Sequence, residues 1–338
     1  MYSPSNITRR LFFSSIIFFF VIAAGCRETE SPGPGKLVFR FALQPDPANK
    51  VWVAANLFRQ EIERRSNGDI EVKFYDSGVL GAERQLLEAC YMGVIEMVQV
   101  TSSVVTTIDP VFSTLDMPYL FVNEDHHRRI LNGPIGRELL DGLSGVRFHG
   151  ISFFSCGFRH MFNSKRSIYS PDDMAGLKIR VMESPVMLRS INCLGGSATP
   201  LDASEVYTAL KTGVVDGAEN NSLVFVSSHY SDSCKYLSMT GHFANQHVLI
   251  ANKAWYEALA TEHRELIDKT AVQILHDYNL QWHNSVTEAM KTMEQIGVTV
   301  NGIDDIRPFM DLVQPVYDEY KDSVPPELVR RIRKEADK

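Results

Sequence analysis

Apolar and polar positions alternate over 36–43 in a β-rich run, which predicts an opening strand. Over 49–65 the period becomes helical. Ala54, Ala55, Leu57, Phe58, Glu61 and Ile62 fit a mostly apolar stripe with a charged back, and Asn67-Gly68 ends it. Alternation returns at Ile70, Val72 and Phe74, a second strand over 69–75. Residues 81–92 read as a helix with Leu86, Leu87 and Cys90 on one side, stopped by Gly93. A short buried strand over 95–100 follows. The order β-α-β-α-β implies a parallel sheet covered by helices.

The pattern recurs farther on. Strands are predicted over 147–154 and 177–182, and a helix over 184–194 closed by Gly195-Gly196. Asp202-Ala203-Ser204-Glu205 is a capping box opening a helix that runs to Lys211. Gly213 ends that helix, and a strand follows over 214–219. The chain thus carries two α/β units without sequence repeat between them. After Thr261 a helical stretch reaches about Gly297, with Leu266, Ile267, Val272, Ile274, Leu275, Tyr278, Val286, Met290 and Met293 on a broad apolar face. At roughly 1.5 Å per residue it is long enough to span both units. Its charged positions, Glu262, Arg264, Glu265, Asp268 and Lys269, make a membrane span untenable. A final amphipathic helix is predicted over 306–320.

The N-terminus stands apart from this fold. Arg9-Arg10 precedes an almost continuous apolar run over 11–24, then Ala23-Ala24-Gly25-Cys26. That layout reads as a secretory signal, and the cysteine after Ala-Ala-Gly resembles a bacterial lipobox with Cys26 as the acylated residue. Thr8-Arg9-Arg10-Leu11-Phe12 also resembles a twin-arginine signal, so the export route stays open. The other reading is an uncleaved membrane anchor. Both place the folded part outside the cytoplasm. Residues 27–36, rich in Pro and Gly, read as a flexible tether.

Bulk properties exclude some functions. The 338 residues exceed what one core usually serves, so two lobes are expected. A net charge of -7 argues against a nucleic-acid partner, which needs a basic face. It does not argue against an anionic ligand, because one buried Arg decides that locally. Of the remaining cysteines, Cys90, Cys156, Cys193 and Cys234, irregular spacing indicates no metal knuckle, and buried free thiols are expected for most. The adjacent His126 and His127 point apart on a helix, and His276 and His283 lack a third ligand, so no metal is expected. No phosphate loop or hydrolase motif is present, and no cofactor is expected.

Ligands of open α/β sheets bind beyond the carboxyl ends of strands, so candidates lie there. Arg180, between the apolar Ile179 and Val181, is either a carboxylate clamp or a solvated edge residue. Arg159 offers a second cation in the same cleft, though local evidence favours a surface Arg. Asn220 and Asn221 suit a carboxylate or hydroxyl, or a helix cap. Glu83, at a helix start, either answers the helix dipole or accepts ligand hydroxyl protons.

At these same residues the chain resembles the DctP-type solute-binding proteins of TRAP transporters. The resemblance is carried by Ser77-Gly78-Val79-Leu80-Gly81-Ala82-Glu83-Arg84, Leu115-Asp116-Met117-Pro118-Tyr119-Leu120-Phe121 and Gly157-Phe158-Arg159. It continues through Asp173-Met174-Ala175-Gly176-Leu177-Lys178-Ile179-Arg180-Val181, Ser204-Glu205-Val206-Tyr207-Thr208-Ala209-Leu210 and Thr212-Gly213-Val214-Val215-Asp216-Gly217-Ala218-Glu219-Asn220. It implies a two-lobed, periplasmic-binding-protein-like α/β fold, each lobe a mixed, mainly parallel sheet flanked by helices, with a long helix spanning both. The expected divisions are a signal peptide (1–25), a lipidated tether (26–36), lobe 1 (37–157, completed by about 246–280) and lobe 2 (158–245, completed by about 281–338).

The resemblance further implies ligand capture by closure and delivery to large and small membrane subunits. Arg180 would pair with the ligand carboxylate, Arg159 and Asn220 would assist, and Gln44, Glu83 and Gln246 would line the rest of the pocket. Two departures bear on the ligand. Many relatives have Gln-Glu-Asn-Pro where this chain has Ala218-Glu219-Asn220-Asn221, and many have an aromatic residue at the position of Ala203. The variant is similar to that of members taking sugar acids, so a hexuronate is expected first and a C4-dicarboxylate or keto acid second. The expected protein is a periplasmic, lipid-anchored monomer, not an enzyme. A lyase or isomerase, or a ligand sensor, on the same scaffold are the rival classes.

Overall fold

The computed structural model describes residues 36–336. The expected signal peptide, the lipidation candidate Cys26 and the expected tether up to Gly35 lie outside the described residues. The first alternating run forms β1 (Leu37–Leu43), which pairs in parallel with β2 (Ile70–Tyr75) and β3 (Met97–Thr101). Parallel neighbours need crossovers, supplied by α1 (Lys50–Arg65) and α2 (Glu83–Tyr91). The Asn49 side chain starts α1 by accepting the Val51 N–H, and Arg64 and Arg65 sit in the last turn, where the helix dipole favours cations. Two helices, α3 (Glu124–Asn132) and α4 (Pro134–Gly142), follow.

The strand predicted to end at 154 continues as β4 (Phe148–Asn163), 16 residues long. The second unit then pairs β5 (Lys178–Val181) in parallel with β6 (Ser197–Pro200) and β7 (Gly217–Asn220). Its crossovers are α5 (Pro185–Cys193) and α6 (Val206–Thr212). No periodic signal marks β6, a four-residue strand at the sheet edge that ends in proline. After α7 (Ser222–Ser227) comes β8 (Tyr236–Asn252), 17 residues and almost wholly buried. Burial on both faces erases alternation, so periodicity did not single β8 out.

Among the described residues nine strands form one sheet, in the order β2-β1-β3-β8-β4-β7-β5-β6, with β9 (Thr299–Asn301) beside β8. β4 and β8 run antiparallel through both units. One half of β8 continues into β3, and the far half of β4 continues into β7. The two lobes are therefore one sheet joined by two long strands. The β4/β8 register shifts between Ser155 and Phe158, where Cys156 and Gly157 oppose the single residue Asn245.

Three cores flank this sheet. One face carries a continuous core shared by α3, α4 and α5. The opposite face carries two, one under α1 and one around Phe162, Phe225 and Tyr230. The long helix α8 (Thr261–Gln295) bridges these two, with Ile267 to Trp282 in the first and Met293 in the second. It spans both lobes, as its length predicted.

The C-terminal expectation needs correction. The helix predicted over 306–320 is two short ones, Arg307–Leu312 and Gln314–Glu319, because Pro315 cannot continue a helical ladder. A further helix, α9 (Pro326–Lys334), follows. It docks on lobe 1: the Ile332 carbonyl lies 2.9 Å from His126 Nε2, and Arg331 pairs with Glu138 at 2.6 Å. Residues 281–338 thus do not all complete lobe 2. Another tie between the lobes is the buried Asp116, whose carboxylate accepts from Ser103 Oγ and Ser184 Oγ, each at 2.7 Å. Cys90, Cys156 and Cys234 are buried free thiols, and Cys193 is a half-buried one.

Gly157 carries two constraints at the strand crossover. Its φ is +66°, and an added Cβ would stand 3.0 Å from both the Trp282 ring and the Glu124 carboxylate. Gly157→Ala is expected to cost about 1–2 kcal/mol, read as a lowered urea midpoint with unchanged m-value.

Candidate ligand-binding site

A cavity of ≈ 1020 Å³ opens between the lobes on the face covered by α8. Its floor is the β4/β8 crossover, and its walls are the carboxyl ends of β1, β3, β5 and β7 with the middle of α8. This is where open α/β sheets hold ligands.

β5 sends Ile179 and Val181 into the core shared with α5, so the period of two puts Arg180 on the cavity face. Arg180 is only 4% exposed. Its Nε and Nη2 both donate to the Leu201 carbonyl, at 2.9 and 2.6 Å, and it forms no ion pair among the described residues. Burial holds its pKa below the usual arginine value, opposed by the charge of Glu219.

Arg159 is 1% exposed, which corrects the surface reading that local sequence favoured. It forms a buried ion pair with Glu219, with Nη2–Oε1 at 2.9 Å, and Nη2 also donates to the Glu219 carbonyl at 2.7 Å. Only the pairing of β4 with β7 brings that glutamate alongside, 60 residues away in sequence. Nη1 reaches Asn220 Oδ1 at 3.3 Å. The cap role falls to the neighbour: Asn221 Oδ1 accepts the Val224 N–H at the start of α7. Both asparagines border the cavity.

Gln44 also borders it and crosses between the lobes, donating from Nε2 to Asp202 Oδ1 at 2.7 Å. Glu83, first residue of α2, is 6% exposed and accepts from Thr101 N at 3.2 Å and Thr101 Oγ1 at 2.5 Å. Burial pushes its pKa up to about 7, against the two Thr101 hydrogen bonds.

Gln246 does not line the cavity, and that expectation is corrected. It points to the opposite face of β8, where it bonds His127 at 2.7 Å and Ser102. A one-residue step flips a strand side chain to the other face. Its neighbours Asn245 and His247 therefore line the cavity instead. Asn245 Oδ1, His247 Nδ1 and, from α8, Trp282 Nε1 are buried without a hydrogen-bond partner. Sequence reasoning missed all three, together with Asp202, which it had placed only as a helix cap. The available signal was the polar triplet Asn245-Gln246-His247 inside an otherwise apolar run, of which a strand turns the outer two to one face.

The site thus has a cationic end, formed by Arg180 and Arg159, and an end of hydroxyl-competent acceptors and donors. Burial, aided by the charge of Arg159, pushes the His247 pKa down to about 3, so its imidazole is neutral at neutral pH. Such an arrangement holds an acid by its carboxylate and its hydroxyls by neutral hydrogen bonds. The profile of the bacterial extracellular solute-binding protein family 7, DctP, matches residues 42–323. The chain belongs to this family.

A solute-binding protein of Chromohalobacter salexigens is 32% identical over 267 residues, covering 79% of this chain and 80% of that one. A solved TRAP periplasmic solute binding protein from the same species, with D-glucuronate bound, has a TM-score of 0.85 and 30% identity, covering 88% of this chain and 99% of that one. One from Xanthobacter autotrophicus, with β-D-galacturonate bound, has a TM-score of 0.82 and 28% identity, covering 88% and 99%. This DctP-family chain is the extracytoplasmic solute-binding protein of a TRAP transporter.

Glu83 makes the site costly to the fold of this DctP protein. Its folded pKa of about 7 lies above the 4.5 of an unperturbed glutamate. Its stabilising contribution is therefore complete below about pH 4.5 and lost as pH rises through 7, on the order of 3 kcal/mol at most. Glu83→Gln is expected to raise the melting temperature at pH 8 and leave it nearly unchanged at pH 4.5, checked by thermal unfolding at both.

Proposed function

We propose that this protein captures a hexuronate, or a closely related sugar acid, by pairing its carboxylate with Arg180. The observation that carries the reading is the Arg180 guanidinium, 4% exposed and without an ion-pair partner among the described residues. A buried charge is stable only when paired and hydrogen-bonded, and a carboxylate fits the guanidinium fork in two parallel bonds. Arg159 and Asn220 stand beside it as a second cation and an amide. Glu83, Asn245, His247 and Trp282 offer partners for ring hydroxyls. The hexuronates bound by solved relatives agree with this chemistry.

Binding draws groups from both lobes, so the ligand favours the arrangement in which they approach. The protein then acts as a carrier that passes its ligand, chemically unchanged, to large and small membrane subunits. Cys26 carries a lipid that tethers it to a membrane surface. Radiolabelled palmitate is expected to label the full-length chain in cells and not a Cys26→Ser variant.

Titration calorimetry with D-glucuronate and D-galacturonate tests the central reading. Arg180→Lys is expected to weaken binding by about 100-fold, because a point charge cannot reproduce the fork. Unchanged affinity in that variant, or conversion of the sugar acid by the purified protein, would defeat it.

A further inference from the structure

We infer that Asp202 is a specificity residue that, facing Glu83 across the lobes, bars ligands with a second carboxylate. The inference rests on the hexuronate reading above and names the charge class that the site accepts.

Asp202 follows β6 in lobe 2 and borders the same cavity as Arg180 and Glu83. Its Oδ1 is saturated, accepting from Gln44 Nε2 at 2.7 Å, Ser204 N at 2.9 Å and Ser204 Oγ at 2.6 Å. The Ala203 N–H also bonds this carboxylate. These donors fix the carboxylate in place at the cavity border. Burial raises the pKa of this half-buried carboxyl, but the bonds from Ser204 and Gln44 outweigh it and hold the group below the usual carboxylate range. It is therefore anionic at neutral pH.

Its charge acts on both ends of the site. It pushes the Glu83 carboxyl upward and supports the Arg180 cation. Glu83 is close to half-protonated at neutral pH, so Asp202 supplies the constant negative charge. The buried cations lining the cavity, Arg159 and Arg180, serve the carboxylate end. Lys50, Asp46 and Glu288 also border the cavity but are exposed, where water and salt screen them. A second ligand carboxylate would thus meet like charge without a buried counter-ion. A hydroxyl donates to the same oxygens at no such cost.

Asp202 takes its place through Gln44, which belongs to the other lobe. The filter is therefore built from both lobes and is complete when they stand as they do here. Polyhydroxylated acids with one carboxylate pass it, and aldaric acids of the same chain length do not.

The test compares D-glucuronate with D-glucarate and D-galacturonate with galactarate by calorimetry at pH 7.5, in wild type, Asp202→Asn and Asp202→Ser. Both variants remove the charge, and Asn keeps an acceptor for Gln44. The wild type is expected to prefer each uronate over its aldarate by at least about tenfold, and both variants to shrink that ratio by about tenfold. Circular dichroism melting shows that each variant is folded. A wild type that binds uronate and aldarate equally, or folded variants that keep the wild-type ratio, overturns the filter alone. A wild type that binds neither uronate overturns the hexuronate reading, and the filter with it.

Discussion

A guanidinium held out of water, with one carbonyl as its hydrogen-bond acceptor among the described residues, sets the terms for the rest of this site. Taking an ion from water costs several kcal/mol even after relaxation, and a single backbone dipole returns little of that. β5 enforces the cost: Ile179 and Val181 are locked into the core beneath, so Arg180 has nowhere else to point. Arg159, 1% exposed, shows the opposite solution. Glu219 neutralises it and the Glu219 carbonyl satisfies it further. Both arginines line the cavity, but Arg159 is already ion-paired, whereas Arg180 has no ion-pair partner among the described residues.

The scaffold places this chemistry where the two lobes are joined. Among the described residues β4 and β8 alone run through both halves of the sheet, and a register shift between them lies at Cys156 and Gly157. The cavity floor is built from those same stretches, with Cys156 and Arg159 on one strand and Asn245 and His247 on the other. The cavity lining and the positive-φ glycine of the register shift are therefore a residue or two apart. Hydrogen bonds between the lobes, such as Gln44 to Asp202 and Ser184 to Asp116, each end on a carboxylate and are worth about 1.5–3 kcal/mol. Bonds of that size leave the lobe arrangement open to bias by a ligand that touches both sides.

Function is bought against stability throughout the cavity. Glu83 is kept in a setting that disfavours its charge, and three polar atoms on Asn245, His247 and Trp282 are buried without partners. Each such group costs free energy in the fold, which is the usual trade at a binding site. The compensation lies in the cores on either face of the sheet, bridged by α8 on the cavity side.

The sequence alone settled what depends on near neighbours. Periodicity located β1 to β3, their crossover helices and α8, because an amphipathic element writes its buried face into its own spacing. The motifs around Arg180, Glu83 and Asn220 named residues that border the cavity, so part of its lining was legible. Tertiary structure decided everything that depends on which strands meet. The buried β8 has no alternation to read, and its register decides that Asn245 and His247, not Gln246, face the cavity. The burial of Arg159 follows from a glutamate 60 residues away, and the role of Asp202 from a glutamine 158 residues away. Local spacing carries the geometry of one element, whereas charge pairing and cavity lining are properties of pairs of elements that only the folded chain brings together.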